Sequence, residues 1–522
     1  MTNSQPSNAR AKSVPSSSKH IKHLFRHTVS SSDRHDVQQY LLNSEAELCR
    51  YQAEVNRLKA KITVLETRMG GLKGKIRKYR TLLSPVYRLP SEIWAEVFLF
   101  CCEGESLTPL KTPALMVVSR VCGRWRDIAL STPRIWSTIS LRFEGWTKGN
   151  GGRLDRLQSL LVSFLQRSKN MPLTVDLNSL RVEKQDEIDG VVKTLEGLLN
   201  HSTRWQHLDC THSLLALPAF QSLRNRLPGL KSLYVESGMR DNSSSLFHDC
   251  PSLTSLSISP DSWSDSDFPL HQMKTVSLRR SYAPAALAVL RSCTNAYQLE
   301  MHSIGGMSRP DTDHIILPKV RQLTITAENE EDAMTVFQFS TLQSLTNLEI
   351  RRSSINSVDW NRWDLGPVKD FLLRSSCALT SLKIGSVPLS DDETIQLLLL
   401  TPTLTNLSIE EYPKHGKNKI VTDAFLQLLS SDEDELVSSF LPSLNQLDLI
   451  VHLSSLQIPS LIHAIASRAP DDVGNISESS CGLRSVTLTV MAKEKPDMSP
   501  FFALQCFGDA GLRMNIFHKA IC

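Results

Sequence analysis

The most suggestive chemical motif in this sequence is the glycine-rich segment Gly70-x-x-x-Gly74-Lys75. A phosphate-binding loop has four residues between its glycines and a Ser or Thr after the lysine, so that backbone N–H groups and a hydroxyl hold a nucleotide and its Mg²⁺. Here three residues separate the glycines, and Ile76 follows the lysine. The segment also lies within a heptad pattern with no strand before it, so we predict no nucleotide site.

Two further groups have residue types that bind metals or transfer protons. His20, His23 and His27 have helical spacing, but no Cys, Asp or Glu close by completes a metal site. Asp391, Asp392 and Glu393 come before an apolar stretch, and a helix dipole alone favours carboxylates at a helix start. No G-x-S-x-G or H-E-x-x-H string occurs. We therefore predict a binding protein that needs no metal or cofactor, not an enzyme.

Composition narrows the class of protein. The chain has 522 residues, of which 41% are hydrophobic and 21% charged, as in ordinary globular proteins. Because a typical domain has about 150 residues, we expect a modular or repetitive chain. No run approaches the roughly 18 apolar residues of a membrane span. The eleven cysteines lack C-x-x-C spacing, which favours a reducing compartment, the cytoplasm or the nucleus.

Charge is distributed unevenly along the chain. Residues 1–83 carry a net charge of +10 and the remaining residues −6. Residues 1–35 are rich in Ser, Asn, Pro and basic residues and are predicted to be a disordered tail, although a mitochondrial transit peptide has a similar composition. Nucleic-acid binding by the basic segment would show an affinity that falls steeply with salt, but solvation is the simpler role of these charges.

Residues 36–83 are predicted to form a coiled-coil helix. Apolar residues follow one another at alternating intervals of three and four from Leu48 to Leu83, which is a heptad seam. Position a is held by Leu48, Val55, Ile62, Met69, Ile76 and Leu83, and position d by Tyr51, Leu58, Leu65, Leu72 and Tyr79. This bias favours two parallel strands, but the flanking charges are mixed: in a parallel homodimer Glu54 would face Lys59, whereas Arg68 would face Lys73. A single helix folded back on the following domain also stays open.

A small helical module is predicted over residues 84–140. Ser84-Pro85 ends the long helix, and Leu89-Pro90-Ser91-Glu92 predicts the start of another. The residues that share one face of that helix are Ile93, Val97, Phe98 and Cys101. After a polar loop at 103–113, a further helix has the same spacing at Leu115, Val118, Val121, Cys122 and Trp125. The core of this module is too small to give much stability alone, so a helical partner could complete it.

The strings Leu89-Pro90-x-Glu92-Ile93 and Val121-Cys122-x-x-Trp125-Arg126, with Val97-Phe98 between them and Trp136 after them, resemble the F-box motif. In that family the motif docks on a Skp-type adaptor of a cullin-RING ubiquitin ligase. The resemblance implies that the adaptor-facing or supporting positions are Leu89, Pro90, Ile93, Val97, Phe98, Val121, Cys122 and Trp125. The loop at 103–113 is long and polar for this family, which leaves the packing of the two helices open. The same residues could also be the core of a hairpin without a partner.

Residues 141–522 repeat a short apolar pattern. Ten segments between 230 and 488, such as LKSLYV at 230–235 and LTNLEI at 345–350, share an apolar-x-x-apolar-x-apolar core. Most recur at intervals of 20 to 25 residues, and three intervals are 34 to 40. A period in the twenties with a strand and then a helix in each unit is the leucine-rich-repeat signature. The Asn that usually follows the strand is missing from most units, and insertions such as Asp432–Glu435 predict irregularity.

The predicted fold class is therefore α/β. It comprises an N-terminal coiled-coil helix, a small all-α F-box-like module and an irregular α/β leucine-rich-repeat solenoid over residues 141–522. An F-box followed by such repeats resembles the arrangement in the large F-box families of mushroom-forming fungi.

Outward-facing residues of the repeat strands are the candidate target-binding residues. On such strands the apolar side chains point inward and the intervening ones face out. The candidates are Tyr234, Glu236, Arg279, Glu300, His302, Glu349, Arg351, Lys383 and Glu410, with Thr324 and Asp448 also facing out. Mixed charges and hydroxyls suit a protein partner better than nucleic acid, although any one of these residues could simply be solvated.

Together these features predict a substrate-receptor subunit of a Skp-cullin-F-box ubiquitin ligase. The F-box would bind the adaptor and, through it, a cullin, while the repeats would bind a target protein. Such a subunit needs no nucleophile, because it raises the effective concentration of target lysines near a ubiquitin carrier. The alternative is a coiled-coil and leucine-rich-repeat scaffold with no role in ubiquitin transfer.

Overall fold

The computed structural model describes residues 22, 24–26, 28–142, 151–179, 185–236, 246–305, 314–353, 360, 363–412, 419–430, 440–454, 456–469, 482–494, 497, 499–508 and 511–520. The first 21 residues of the predicted tail, the three histidines His20, His23 and His27, and the predicted acidic insertion Asp432–Glu435 lie outside the described residues. The chain divides into two compact units, residues 1–93 and 94–522.

The first unit consists mainly of one long helix, α1 (Ser31–Leu82). Ser30 caps it: the Ser30 Oγ accepts a hydrogen bond from the Asp33 N–H at 3.1 Å, and the Asp33 carboxylate accepts one from the Ser30 N–H at 3.2 Å. This reciprocal capping box satisfies two backbone donors at the helix start. The helix therefore begins inside the segment 1–35 for which the sequence predicts disorder.

The heptad seam of α1 is exposed along its whole length. Its exposed fractions range from 43% at Val55 to 78% at Leu83, and no residue of α1 is buried. The helix continues without interruption through Gly70, Gly71 and Gly74, although each glycine weakens a helix by about 1 kcal/mol relative to Ala. After α1 the chain makes a short 3₁₀ turn at Pro85–Arg88.

The second unit is built on a parallel sheet. Among the described residues its strands are β1 (Thr138–Ser140), β2 (Leu173–Asp176), β3 (Trp205–Thr211), β4 (Ser232–Glu236), β5 (Ser255–Ile258), β6 (Thr275–Tyr282), β7 (Gln298–Gly305), β8 (Ile315–Ile316), β9 (Gln322–Ala327), β10 (Ser340–Thr341), β11 (Asn347–Arg352), β12 (Ser381–Gly385), β13 (Asn406–Glu410), β14 (Gln446–His452), β15 (Ser485–Ala492) and β16 (Arg513–Ala520). Strands β8 and β10 pair with each other, and the other described strands form one fourteen-stranded parallel sheet in chain order.

Each of the ten strands predicted from the repeated pattern is present, as β4 to β7, β9 and β11 to β15. The register aligns equivalent residues: Leu348 lies opposite Leu323 on one neighbour and Leu382 on the other. These apolar side chains are buried, and the intervening ones are at least partly exposed except Ser277 of β6, which is buried. One face of the sheet is therefore the core, and we call the opposite face the polar face.

Helices pack against the apolar side of the sheet. The described helices after α1 are α2 (Ser91–Cys102), α3 (Ala114–Val118), α4 (Gly123–Ser131), α5 (Gly151–Arg167), α6 (Gln185–Leu199), α7 (His212–Leu215), α8 (Pro218–Gln221), α9 (Ala283–Ser292), α10 (Glu330–Phe339), α11 (Gly366–Ser375), α12 (Asp391–Leu399), α13 (Asp423–Leu429), α14 (Ile458–Ala466) and α15 (Phe502–Gln505). Leu287 and Leu290 of α9 and Phe337 of α10 are buried, and these helices contact β6, β7 and β9. None of the described helices is long and apolar enough to cross a membrane.

Three arginines connect successive helical layers. Arg204 donates to the Met171 carbonyl at 3.0 Å, and Arg374 donates to the Phe337 carbonyl at 2.6 Å. Arg468 donates from Nε to the Leu429 carbonyl at 2.5 Å and from Nη1 to the Leu441 carbonyl at 2.8 Å. Each guanidinium thus pairs backbone carbonyls at or just beyond the end of an earlier helix, which otherwise have no helical partner.

Candidate adaptor-binding and target-binding surfaces

Helix α2 carries two neighbouring apolar faces, where the sequence predicts one. Trp94 and Phe98, four residues apart, are 7% and 1% exposed. Ile93 and Val97 are also four residues apart, but they are 49% and 38% exposed. Since residues four apart share a helix face, the predicted grouping of Phe98 with Ile93 and Val97 is wrong: Phe98 belongs to the core.

Three aromatic rings form the core of the F-box-like segment. The ring centroids of Trp94 and Trp125 are 4.7 Å apart, those of Phe98 and Trp125 are 5.3 Å apart, and those of Trp94 and Phe98 are 5.8 Å apart. Cys122 stands at the start of α4, where its Sγ accepts a hydrogen bond from the Trp125 N–H at 3.5 Å. Phe98, Cys122 and Trp125, all predicted adaptor-facing or supporting residues, therefore take part in the internal packing of this segment.

The other predicted positions are exposed. In the first unit Leu89 and Ile93 are 37% and 49% exposed, and Pro90 is also exposed. In the second unit Val97 and Val121 are 38% and 57% exposed.

Among the exposed apolar side chains of the same segment that sequence reasoning missed are Phe100 and Val117. Phe100 is 74% exposed and Val117 is 52% exposed. The sequence feature that could have identified them is helical spacing: Phe100 comes three residues after Val97, and Val117 comes four residues before Val121. We call Val97, Phe100, Val117 and Val121 the exposed F-box residues.

A groove lies beside Phe100. Its volume is about 360 Å³, and its apolar lining includes Leu99, Leu107, Leu115 and Phe164. Concave apolar surface next to protruding apolar side chains is typical of a protein-binding site.

The polar loop after α2 joins the module to the sheet. Leu107 is buried and forms a parallel bridge with Leu141, in which the Leu107 N–H donates to the Ser140 carbonyl at 2.6 Å. The Glu105 carboxylate accepts a hydrogen bond from the Ala114 N–H at 2.6 Å, at the start of α3. The loop that departs from the F-box pattern thus extends the edge of the sheet beside β1.

Trp136 strengthens this connection. It is fully buried, its Nε1–H donates to the Ala129 carbonyl at 2.7 Å, and its ring meets that of Phe164 at a centroid distance of 5.0 Å. The Arg167 guanidinium lies 4.4 Å from the Trp136 ring, within the range of a cation–π interaction. The part of the F-box-like segment within the second unit is therefore joined to the edge of the sheet through Leu107 and packed against α5 through Trp136.

The polar face of the sheet brings several predicted target-binding residues together. Arg279 lies over the ring of Tyr234 at 5.1 Å. Glu349 forms ion pairs with Arg351 and with Lys383, the latter at 3.2 Å. The first contact spans β4 to β6 and the second group lies on β11 and β12, so both belong to the polar face of the same sheet.

Further predicted residues occupy the same face. The His302 Nε2 and a carboxylate oxygen of Glu300 lie 3.7 Å apart, and the neighbouring imidazole holds the pKa of Glu300 below its ordinary value. Glu410 pairs with Lys519 of β16 at 2.8 Å, a partner that sequence reasoning missed. Glu236 is exposed at the end of β4.

A pair of aspartates on the polar face was also missed. Asp209 of β3 lies opposite Asp176 of β2, and the Ser140 hydroxyl donates to the Asp176 carboxylate at 2.8 Å. Burial and then the Asp176 charge raise the pKa of Asp209 to about 6. Such a carboxyl group gains or loses a proton near neutral pH. Among the described residues no His, Cys, Asp or Glu cluster suited to a metal ion occurs.

Comparison with known proteins identifies one part of the chain. Residues 86–142 match the family model of the F-box-like domain, which confirms the resemblance seen in the sequence. F-box-like domains are protein-interaction modules, typically of Skp-cullin-F-box ubiquitin ligases, in which they bind Skp-type adaptors. No curated protein matches the chain. The chain therefore contains an F-box-like domain, followed by a large α/β sheet structure.

Proposed function

We propose that this protein is the substrate-receptor subunit of a Skp-cullin-F-box ubiquitin ligase. The observation that carries the proposal is the F-box-like match at residues 86–142 together with the exposed apolar side chains in the same segment. Adaptor binding would remove these side chains from water. Each Å² of apolar surface that is buried favours association by about 25 cal/mol. Leu89, Pro90 and Ile93 would add to the contact.

The strand-and-helix units after the F-box-like segment would be leucine-rich repeats that bind a target protein on the polar face. Support comes from the aligned register of the repeat strands and from the paired charges around Glu349. Because the segment before the sheet extends the sheet edge through Leu107 and packs against α5 through Trp136, a target held on the polar face would keep a fixed position relative to the adaptor. The protein would act by proximity, with ubiquitin transfer carried out by other subunits.

Co-purification with a Skp-type adaptor tests the proposal. The full chain is co-expressed with the adaptor, beside the double variant Val97→Asp and Val121→Asp. A matched control is Leu373→Asp, because Leu373 lies on α11 in the sheet structure and is 66% exposed. We expect the adaptor to accompany the wild-type chain and the control, and its recovery with the double variant to fall at least tenfold, as when the centre of an interface is lost.

Two results would count against the proposal. The adaptor could fail to accompany the wild-type chain at all, which would favour the alternative of a scaffold without a role in ubiquitin transfer. It could also bind the double variant as well as the wild type, which would place the contact elsewhere. Thermal unfolding of each variant verifies that any loss of binding is not a loss of folding.

A further inference from the structure

The seam of α1 is a long apolar surface without a partner in the described part of the chain. Its residues are 43–78% exposed over the whole stretch from Leu48 to Leu83, although helices gain most of their stability in proteins by burying an apolar face. We propose that α1 pairs with α1 of a second copy as an antiparallel two-stranded coiled coil, centred where Ile62 meets Leu65. This inference is independent of the proposed function.

The apolar layers fit this arrangement. In an antiparallel pair each a position meets a d position of the other copy, and one register brings together every seam residue from 48 to 79. The layers are Leu48 with Tyr79, Tyr51 with Ile76, Val55 with Leu72, Leu58 with Met69 and Ile62 with Leu65. Each tyrosine faces an aliphatic residue. In a parallel pair each tyrosine would instead face its own equivalent, which places two large rings in one layer.

The charges beside the seam decide the orientation. Positions e and g from 45 to 61 carry the acids Glu45, Glu47 and Glu54, together with Gln52, Lys59 and Lys61. The same positions from 66 to 80 carry Glu66 and four cations, Arg68, Lys73, Lys75 and Arg80, and the whole segment 67–82 has no acid. A parallel pair has two attractions, Glu54 with Lys59 and Lys61 with Glu66, but it places the basic segment against itself: Arg68 faces Lys73, and Lys75 faces Arg80. Charges at e and g set the orientation of coiled coils, so the parallel arrangement is disfavoured.

Reversing one helix pairs the basic segment with the acidic residues. In the register above, Glu45 lies beside Arg80 of the second copy, Glu54 beside Lys75, and Lys59 beside Glu66. Glu54 now pairs with Arg57 on its own helix at 2.9 Å, but both side chains are more than half exposed, and such surface pairs exchange partners at little cost. Lys61 lies beside Arg68 of the second copy near the centre, which is a like-charge contact that this arrangement retains.

Charge reversal separates the two orientations. Lys75→Glu in the full chain turns the antiparallel contact with Glu54 into a repulsion, whereas in a parallel pair it turns the repulsion with Arg80 into an attraction. We expect sedimentation equilibrium at low salt to show a dimer of the wild-type chain, and Lys75→Glu to weaken it roughly fivefold. Adding Glu54→Arg to this variant should restore dimerisation. Arg77→Glu is the matched control, because position 77 is a b position away from the seam, and it should leave the dimer unchanged.

A double variant in the seam shows how the chain behaves when the dimer interface is lost. Leu58→Asp with Leu65→Asp should give a monomer, and since neither side chain is buried in the single chain, the sheet structure should unfold at an unchanged temperature. A wild-type chain that stays monomeric up to about 50 µM, or a stronger dimer with Lys75→Glu, would overturn the proposal.

Discussion

Trp94 of α2 and Trp125 of α4 pack with their ring centroids 4.7 Å apart and their planes inclined by 48°. This contact, completed by Phe98, is the core of the F-box-like segment. We predict that Trp125→Ala lowers the free energy of unfolding by about 3 kcal/mol, the lower end of the range for large aromatic truncations, because Trp125 is partly exposed.

Calorimetric unfolding of the full chain would measure this effect. Val121→Asp provides the contrast, since Val121 is exposed and its replacement should leave the transition within about 0.5 kcal/mol of the wild type. An unchanged transition in Trp125→Ala would show that the aromatic cluster is not a stabilising core.

Much of the sheet could be predicted from the sequence, because each repeat strand alternates apolar and polar residues after an apolar residue, most often leucine, three positions earlier. The sequence of strand β16 lacks that pattern. Its register sets Met514 opposite Val486, so the position that should hold the leading leucine is occupied by Gly511. The start of α1 was also missed, since its capping pair, Ser30 and Asp33, lies in a polar segment without apolar periodicity.

The candidate surfaces were only partly predictable. Helical spacing groups apolar residues into faces, but it does not say which of two adjacent faces is buried, and Phe98 and Phe100 were misjudged for that reason. The Asp176 and Asp209 pair depends on the alignment of strands far apart in the sequence. Such pairs appear only when the register is known.

Arg468 links three segments of backbone, which leads to a stability prediction. Its guanidinium donates to the carbonyls of Leu429, Phe440 and Leu441, and burial lowers its pKa. Arg468→Met would leave these carbonyls without their donor and should destabilise the protein by about 3 kcal/mol. Arg468→Lys should recover only part of that loss, because an ammonium group cannot reproduce the planar fork.

Chemical denaturation would measure both variants against Arg321→Met, a control in which the replaced arginine is exposed. Equal stability of Arg468→Met and the control would contradict the assigned role of the three hydrogen bonds.

The aspartate pair predicts a pH dependence of stability. Because the pKa of Asp209 rises from 3.8 to about 6 on folding, the folded state binds this proton more tightly, and the wild-type chain loses stability as the pH rises from about 4 to 6. Asp209→Asn removes the charge. We expect it to be more stable than the wild type by about 1 kcal/mol at pH 7, with a difference that shrinks below pH 6 and disappears below about pH 4.

Thermal unfolding at a series of pH values would follow this difference. A variant that is equally or more stabilised at pH 4 than at pH 7 would show that the gain does not come from the Asp209 charge.

Direct contact between Phe100 and the adaptor is the sharpest consequence of the proposed function, since Phe100 protrudes from α2 and is 74% exposed. The measurement is photo-crosslinking of the full chain that carries benzoylphenylalanine at position 100, with the same group at Leu373 as the control, in the presence of a purified Skp-type adaptor. We predict a crosslink to the adaptor from position 100 and none from position 373. Adaptor binding without a crosslink from position 100, or with equal crosslinking from position 373, would contradict the account.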